Sequence, residues 1–232
     1  MIIGVHEKGE CSIEHSVNFL DRYLQELNVR CRFTENERGK TPILNPGNAS
    51  IDCHQVCMPP EGTKNVWKAP EEGWIKINVD ASFIQEREEC SLGCVARNSD
   101  GKVIWASNRS NIRCKEVFEA ESRACLLGLQ CIHDSNVSLI VLESDNAGVV
   151  EAIGAQNQTK SRLWSLFAEI KRLSLTCKKF VIQKIGREGN LAAHLLAAAA
   201  RNHHQNHLWL GSVPPAIAEV VAAEAVIAAP DV

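Results

Sequence analysis

A chain of 232 residues, 45% hydrophobic and 23% charged, has the balance of an ordinary soluble globular protein and enough apolar material for a core. Its net charge of -3 argues against a protein that coats nucleic acid non-specifically, because such proteins are strongly basic. The first ten residues lack a basic stretch followed by a long apolar one, and no apolar run is long enough to span a bilayer. The expectation is an intracellular protein, in cytoplasm or nucleus, with no membrane partner.

In chain order, residues 16–29 place Val17, Leu20, Leu24 and Leu27 at helical spacing. Turn and linker chemistry follows around Pro42, Pro46, Pro59 and Pro60, so residues 1–66 read as an amphipathic helix plus a loop-rich linker. From residue 74 the pattern changes. Ile75, Ile77 and Val79 alternate with Lys76, Asn78 and Asp80, which predicts a strand over 74–82 with one well-buried face. Strands over 91–98 and 102–107 flank the tight-turn pair Asp100-Gly101, and three consecutive strands suggest an antiparallel meander.

A helix is predicted over 116–133, with Val117, Glu121, Ala124, Gly128 and Cys131 as its inward stripe. The apolar run 139–142 reads as a central strand covered on both faces, reached through a helix as parallel pairing requires. Helices over 146–155 and 161–173, a fifth strand over 179–185 and a last helix from Asn190 complete the pattern. Residues 67–212 therefore form the main domain, and 213–232 an Ala/Val-rich tail, either a short surface helix or a loose end.

Ten cysteines spread over so long a chain, with Cys94, Cys125 and Cys131 on faces expected to be buried, read as core residues in a reducing compartment. Cys11, Cys31, Cys53, His54 and Cys57 match no common zinc spacing. From Lys160 to Glu188 eight basic residues face two acidic ones, a charge run that fits a solvated face as readily as a phosphate-binding surface.

Three carboxylates carry the chemistry. Asp80 ends one strand, Asp145 ends another, and Glu121 sits on the inward stripe of a helix without a cation partner in view. Each has a plainer role: Asp145 as cap of the next helix, Asp80 as the start of a turn. Together the plainer roles weaken. If the strands ending in Asp80 and Asp145 are parallel, both acids lie at one carboxyl-terminal sheet edge, where ligand sites form in open sheets. Acids sharing a site need protons or divalent cations between them, and oxygen donors select Mg2+ or Mn2+.

The segments INVDAS (77–82), EAESRACLLGLQ (119–130), LESDN (142–146) and REGNLAAHLLA (187–197), with the lead-in WKAPEEGW (67–74), resemble the ordered motifs of the ribonuclease H family. More narrowly, they resemble the plant ribonuclease H-like domain of non-LTR retrotransposon reverse transcriptases. That resemblance implies an α/β ribonuclease H-like fold, with a five-stranded mixed sheet (three antiparallel strands, then two parallel additions) flanked by helices. It also implies Mg2+-dependent, or Mn2+-dependent, two-metal hydrolysis of the RNA strand of an RNA/DNA hybrid. Asp80, Glu121 and Asp145 match its first three catalytic acids and its metal ligands, whereas Glu119 fits that register less well. His194 stands at the place of the fourth acid, four residues after the motif's Asn190, and is expected to weaken metal binding there relative to Asp. Ser82, Asn146, Lys184 and Arg187 are the candidate nucleic-acid contacts. The sequence indicates no protein partner.

Overall fold

The computed structural model describes residues 54–57, 66–132, 139–155 and 162–228. The helix expected over 16–29, its linker and the N-terminal cysteines lie outside the described residues, apart from the backbone of His54–Cys57.

The strands are β1 (His54–Cys57), β2 (Ile75–Ile84), β3 (Glu89–Arg97), β4 (Val103–Arg113), β5 (Leu139–Ser144), β6 (Lys179–Lys184) and β7 (His207–Leu210). The helices are α1 (Val117–Gln130), α2 (Ala147–Gly154), α3 (Trp164–Ser174), α4 (Leu191–His203) and α5 (Ala218–Ala228). They form one mixed sheet in the order β1-β6-β5-β2-β3-β4-β7, with helices on both faces. β2, β3 and β4 are the expected antiparallel meander, while β5 pairs parallel to β2 and β6 parallel to β5.

The sheet has seven strands rather than the expected five. The additions are its edge strands, β1 beside β6 and β7 beside β4, each four residues long and too short for alternation to mark them. β1 precedes the expected boundary at Trp67, and α5 follows the one at residue 212.

The hairpin between β3 and β4 is set by its side chains. Asn98 Oδ1 accepts hydrogen bonds from the backbone N–H groups of Asp100 (3.1 Å) and Lys102 (2.9 Å), and Gly101 takes the left-handed conformation (φ 74°).

Two apolar layers clamp the sheet. Ile75, Ile77, Val79, Ile140, Leu142, Phe180 and Ile182 meet α1, α2 and α3 through Ala120, Ala124, Val149 and Phe167. Gly128 lets α1 sit close to the strands: a Cβ there would come within 3.0 Å of Val79 and 3.2 Å of Ile77. On the other face Val95, Val103 and Ala106 meet Ala192 and Leu196 of α4, with Ile217 and Val221 at the C-terminal end. The segment read as a tail is thus a helix that covers part of the second core. Gly93 of β3 is the closest approach on this side, since a Cβ would run into the α4 backbone at Ala193 and Ala197.

Two sequence expectations need correction. Val117, placed on the inward stripe of α1, is exposed, because it opens the helix before the turn that reaches the sheet. The alternation in β2 promised one buried face, yet Lys76, Asn78 and Asp80 are also buried, under α4 and its neighbours.

A polar network makes that second burial tolerable. Asn78 donates to Glu143 Oε2 (2.8 Å) and accepts from Arg97 (2.9 Å); Lys76 pairs with Glu143 (2.9 Å), and Arg97 pairs with Glu224 of α5. Trp67 covers the guanidinium of Arg97, 3.6 Å from its ring centroid. Lys76, Arg97, Glu143 and Glu224 cancel in charge, the condition under which ions are retained in an interior.

Candidate active site

The register of β2 and β5 builds the site. Parallel pairing of Ile75 with Ile140 continues to Asn78 with Glu143, so Asp80 and Asp145 are level, two residues further on. Their side chains share a face, as the Asn78–Glu143 hydrogen bond shows for the preceding pair. β5 ends at Ser144, which opens the edge of the sheet beside Asp80. Through that opening Glu121, from α1 on the opposite face, reaches the same place: ligand oxygens of Asp80, Glu121 and Asp145 lie within 4.8 Å of one another.

The plainer roles fall away. Asp80 lies inside β2, which runs on to Ile84, so it starts no turn. The cap of α2 is Asn146, whose Oδ1 accepts from the Val149 N–H at 3.1 Å, leaving the Asp145 carboxylate to the cluster. Glu119 turns away from the site. Arg123 donates to it at 2.9 and 3.2 Å, the Lys115 N–H at 3.1 Å and Arg162 at 3.5 Å. Burial raises its pKa, but those contacts outweigh it and leave the carboxyl lowered.

Electrostatically the three acids are uncomfortable alone. Burial, then the charges of Asp80 and Asp145, push the Glu121 carboxyl up to about 9. Burial and Asp145 push Asp80 up to about 6, against the lowering influence of His194. Glu121 Oε2 is buried and, among the described residues, has no hydrogen-bond partner. An orphaned carboxylate oxygen between two further carboxylates, without a His or Cys donor in the cluster, is the donor set of a hard divalent cation, so the residues fit such an ion.

His194 sits in the first turn of α4, with Nδ1 3.1 Å from Asp80 Oδ2; protonated at Nδ1, it donates to that carboxylate. Asn190, just before α4, donates to the Val79 backbone carbonyl at 2.9 Å and so ties the start of the helix to the residue preceding Asp80.

The candidate nucleic-acid contacts divide. Arg187 is 93% exposed, with Nε 3.8 Å from Asp145 Oδ2, a pairing that solvent leaves weak. Ser82 lies two residues beyond Asp80, and its hydroxyl accepts from Arg201 of α4 at 2.9 Å. Asn146 spends its oxygen on the helix cap, and Lys184 ends β6, level with Ser144 and two strands away from Asp80.

Sequence reasoning missed Glu143 and its partner Lys76. Both lie in segments already singled out, but a buried ion pair 67 residues apart leaves no local pattern. Cys90, Cys94, Cys114 and Cys125 are buried free thiols, Cys131 and Cys177 are half-buried free thiols, and among the described residues the acid triad is the sole cluster suited to a metal. No helix among them is long and apolar enough to cross a membrane.

A family model described as reverse transcriptase-like matches residues 78–200, just over half of the chain. Among solved structures, the N-terminal RNase H domain of Rv2228c from Mycobacterium tuberculosis is similar at 20% identity and TM-score 0.52, covering 56% of this chain and 94% of that one. RNase H1 from Halobacterium salinarum NRC-1 is similar at 20% identity and TM-score 0.51, covering 55% and 96%. LC11-RNase H1, described in complex with an RNA/DNA hybrid, is similar at 19% identity and TM-score 0.51, covering 56% and 98%. No curated protein sequence matches the chain significantly.

Proposed function

Because the chain belongs to the reverse transcriptase-like family and carries the ribonuclease H fold, we propose that it is a divalent-metal-dependent endonuclease that hydrolyses the RNA strand of RNA/DNA hybrids. The observation that carries the reading is the convergence of Asp80, Glu121 and Asp145 from two strands and a helix. The hybrid bound by LC11-RNase H1 supports the substrate class, and the wording of the four motifs supports the plant non-LTR retrotransposon type.

A bound Mg2+ or Mn2+ would supply Lewis-acid polarisation of the scissile phosphate and a water of lowered pKa. Asp80, Asp145 and Glu121 would hold the cation. His194 orients Asp80 through its hydrogen bond, and Asn190 holds α4 at the distance that bond requires. Recognition of the hybrid rests on its shape and on the 2′-hydroxyls in its wide minor groove rather than on base edges.

One observation favours a second reading, a nucleic-acid-binding module without useful turnover: a histidine stands against Asp80 where the resemblance places a fourth carboxylate. The deciding experiment incubates the full chain and its Asp80→Asn variant with a hybrid labelled on the RNA strand, in Mg2+ and in Mn2+. Cleavage by the parent and none by the variant supports the nuclease. Equal, background cleavage by both, with the hybrid still bound, establishes the module instead.

A further inference from the structure

We propose that Arg201, held by Ser82, binds a phosphodiester of the nucleic-acid strand lying over the acid cluster, a contact that rests on the reading above. Two rungs join α4 to β2. His194 meets Asp80 at the first, and seven residues later Arg201 meets Ser82, two residues further along the strand. Seven residues are about two helical turns, so His194 and Arg201 share a face of α4, on the order of 10 Å apart along its axis.

The guanidinium is exposed, and among the described residues its hydrogen-bond partners are the neutral Ser82 (2.9 Å) and Asn202 (3.5 Å). In contrast, Arg97, Arg123, Arg162 and Arg172 are each spent on a carboxylate. The Ser82 hydroxyl therefore orients Arg201 without neutralising it. A planar guanidinium with donors to spare is the side chain best matched to a phosphate. With Arg187 beside Asp145 and Arg201 beyond Ser82, exposed cations flank the acids on two sides, placing positive charge where an anionic strand would otherwise meet only carboxylates. Ser82, read from sequence as a direct contact, becomes the residue that aims Arg201.

The competing account is that Arg201 merely complements the negative end of the α4 dipole, in whose last turn it lies. Salt dependence separates the two, because a phosphate contact releases counterions and a dipole contact does not. The affinity of the full chain for a labelled RNA/DNA hybrid is measured against monovalent salt in the Asp80→Asn background, so that the substrate survives. Adding Arg201→Gln should flatten the slope of log affinity against log salt by about 0.7–0.9 and weaken binding about five- to eightfold near 0.1 M salt. Arg201→Lys should keep the slope, and Ser82→Ala should weaken binding with the slope unchanged.

A hybrid whose DNA strand carries neutral methylphosphonates identifies the strand. The proposal places the contact on the DNA if the Arg201→Gln deficit vanishes there, and on the RNA if it persists. An unchanged slope in Arg201→Gln overturns the proposal, whether or not affinity falls, while the cleavage comparison at Asp80 remains to judge the nuclease reading. A parent chain that binds no hybrid overturns both.

Discussion

Replacing Glu121 with Gln removes the most heavily perturbed carboxyl of the site and tests whether the cluster is built for a cation. Its pKa rises from an ordinary 4.5 to about 9 in the folded chain, from burial first and then from Asp80 and Asp145. A group raised by folding lends stability that is full below the unfolded value and is lost as pH climbs through the folded one. The cation-free chain should therefore weaken from about pH 4.5 towards 9. Asp80 adds to the same trend between its ordinary 3.8 and about 6. Each pH unit in that window corresponds to about 1.4 kcal/mol, so at about pH 8 the Glu121 contribution has a ceiling on the order of 5 kcal/mol. A divalent cation at a hundred times its dissociation constant would return about 2.7 kcal/mol.

The assay is urea unfolding followed by tryptophan fluorescence, for which buried Trp67 and Trp105 are suited, at about pH 5 and pH 8, in EDTA and in Mg2+ or Mn2+. The parent should lose stability with rising pH in EDTA and regain it with cation, more so at the higher pH. Glu121→Gln should be more stable than the parent in EDTA at the higher pH, and much less responsive to cation. A parent whose cation-free stability is the same at both pH values, or a variant that responds to cation as the parent does, would refute the reasoning.

His194→Asp exchanges an imidazole for a carboxylate beside Asp80 and should lower the Mg2+ concentration for half-maximal cleavage while weakening the cation-free fold; calorimetric titration with the metal checks it, and unchanged affinity counts against it. Glu224→Ala strands the fully buried Arg97 and should cost about 3–5 kcal/mol of unfolding free energy by urea titration. Gly93→Ala forces a Cβ against the α4 backbone and to 2.9 Å from Leu196 Cβ. It should destabilise the chain by about 1–3 kcal/mol and lower cleavage further than stability alone explains, since the displaced helix carries His194; a melting curve and a turnover rate together read both effects.

Much of the site was visible in the linear chain, for a physical reason. The strand bearing Asp80, the apolar run before Asp145 and the helix bearing Glu121 each advertise themselves through local pattern, because each must bury one face or both at its own repeat. Parallel pairing of the first two could be argued from the helix between them, and with it the shared sheet edge. The motif spacing then separated Glu121 from Glu119, a choice that agrees with Glu119 being held by Arg123 and Arg162.

What only the folded chain decided is what depends on contacts between distant residues. Nothing local announces that Arg97 will meet Glu224, 127 positions away, or that an alternating strand will have its polar face buried as well. Four-residue edge strands carry too few residues to show a repeat, and Arg201 gained its place only when α4 was laid along β2. Sequence by itself determined which side chains could do chemistry, because residue type and local period are written in the chain. Tertiary structure determined which of them meet, because register, helix placement and charge pairing are settled by packing the whole sheet at once.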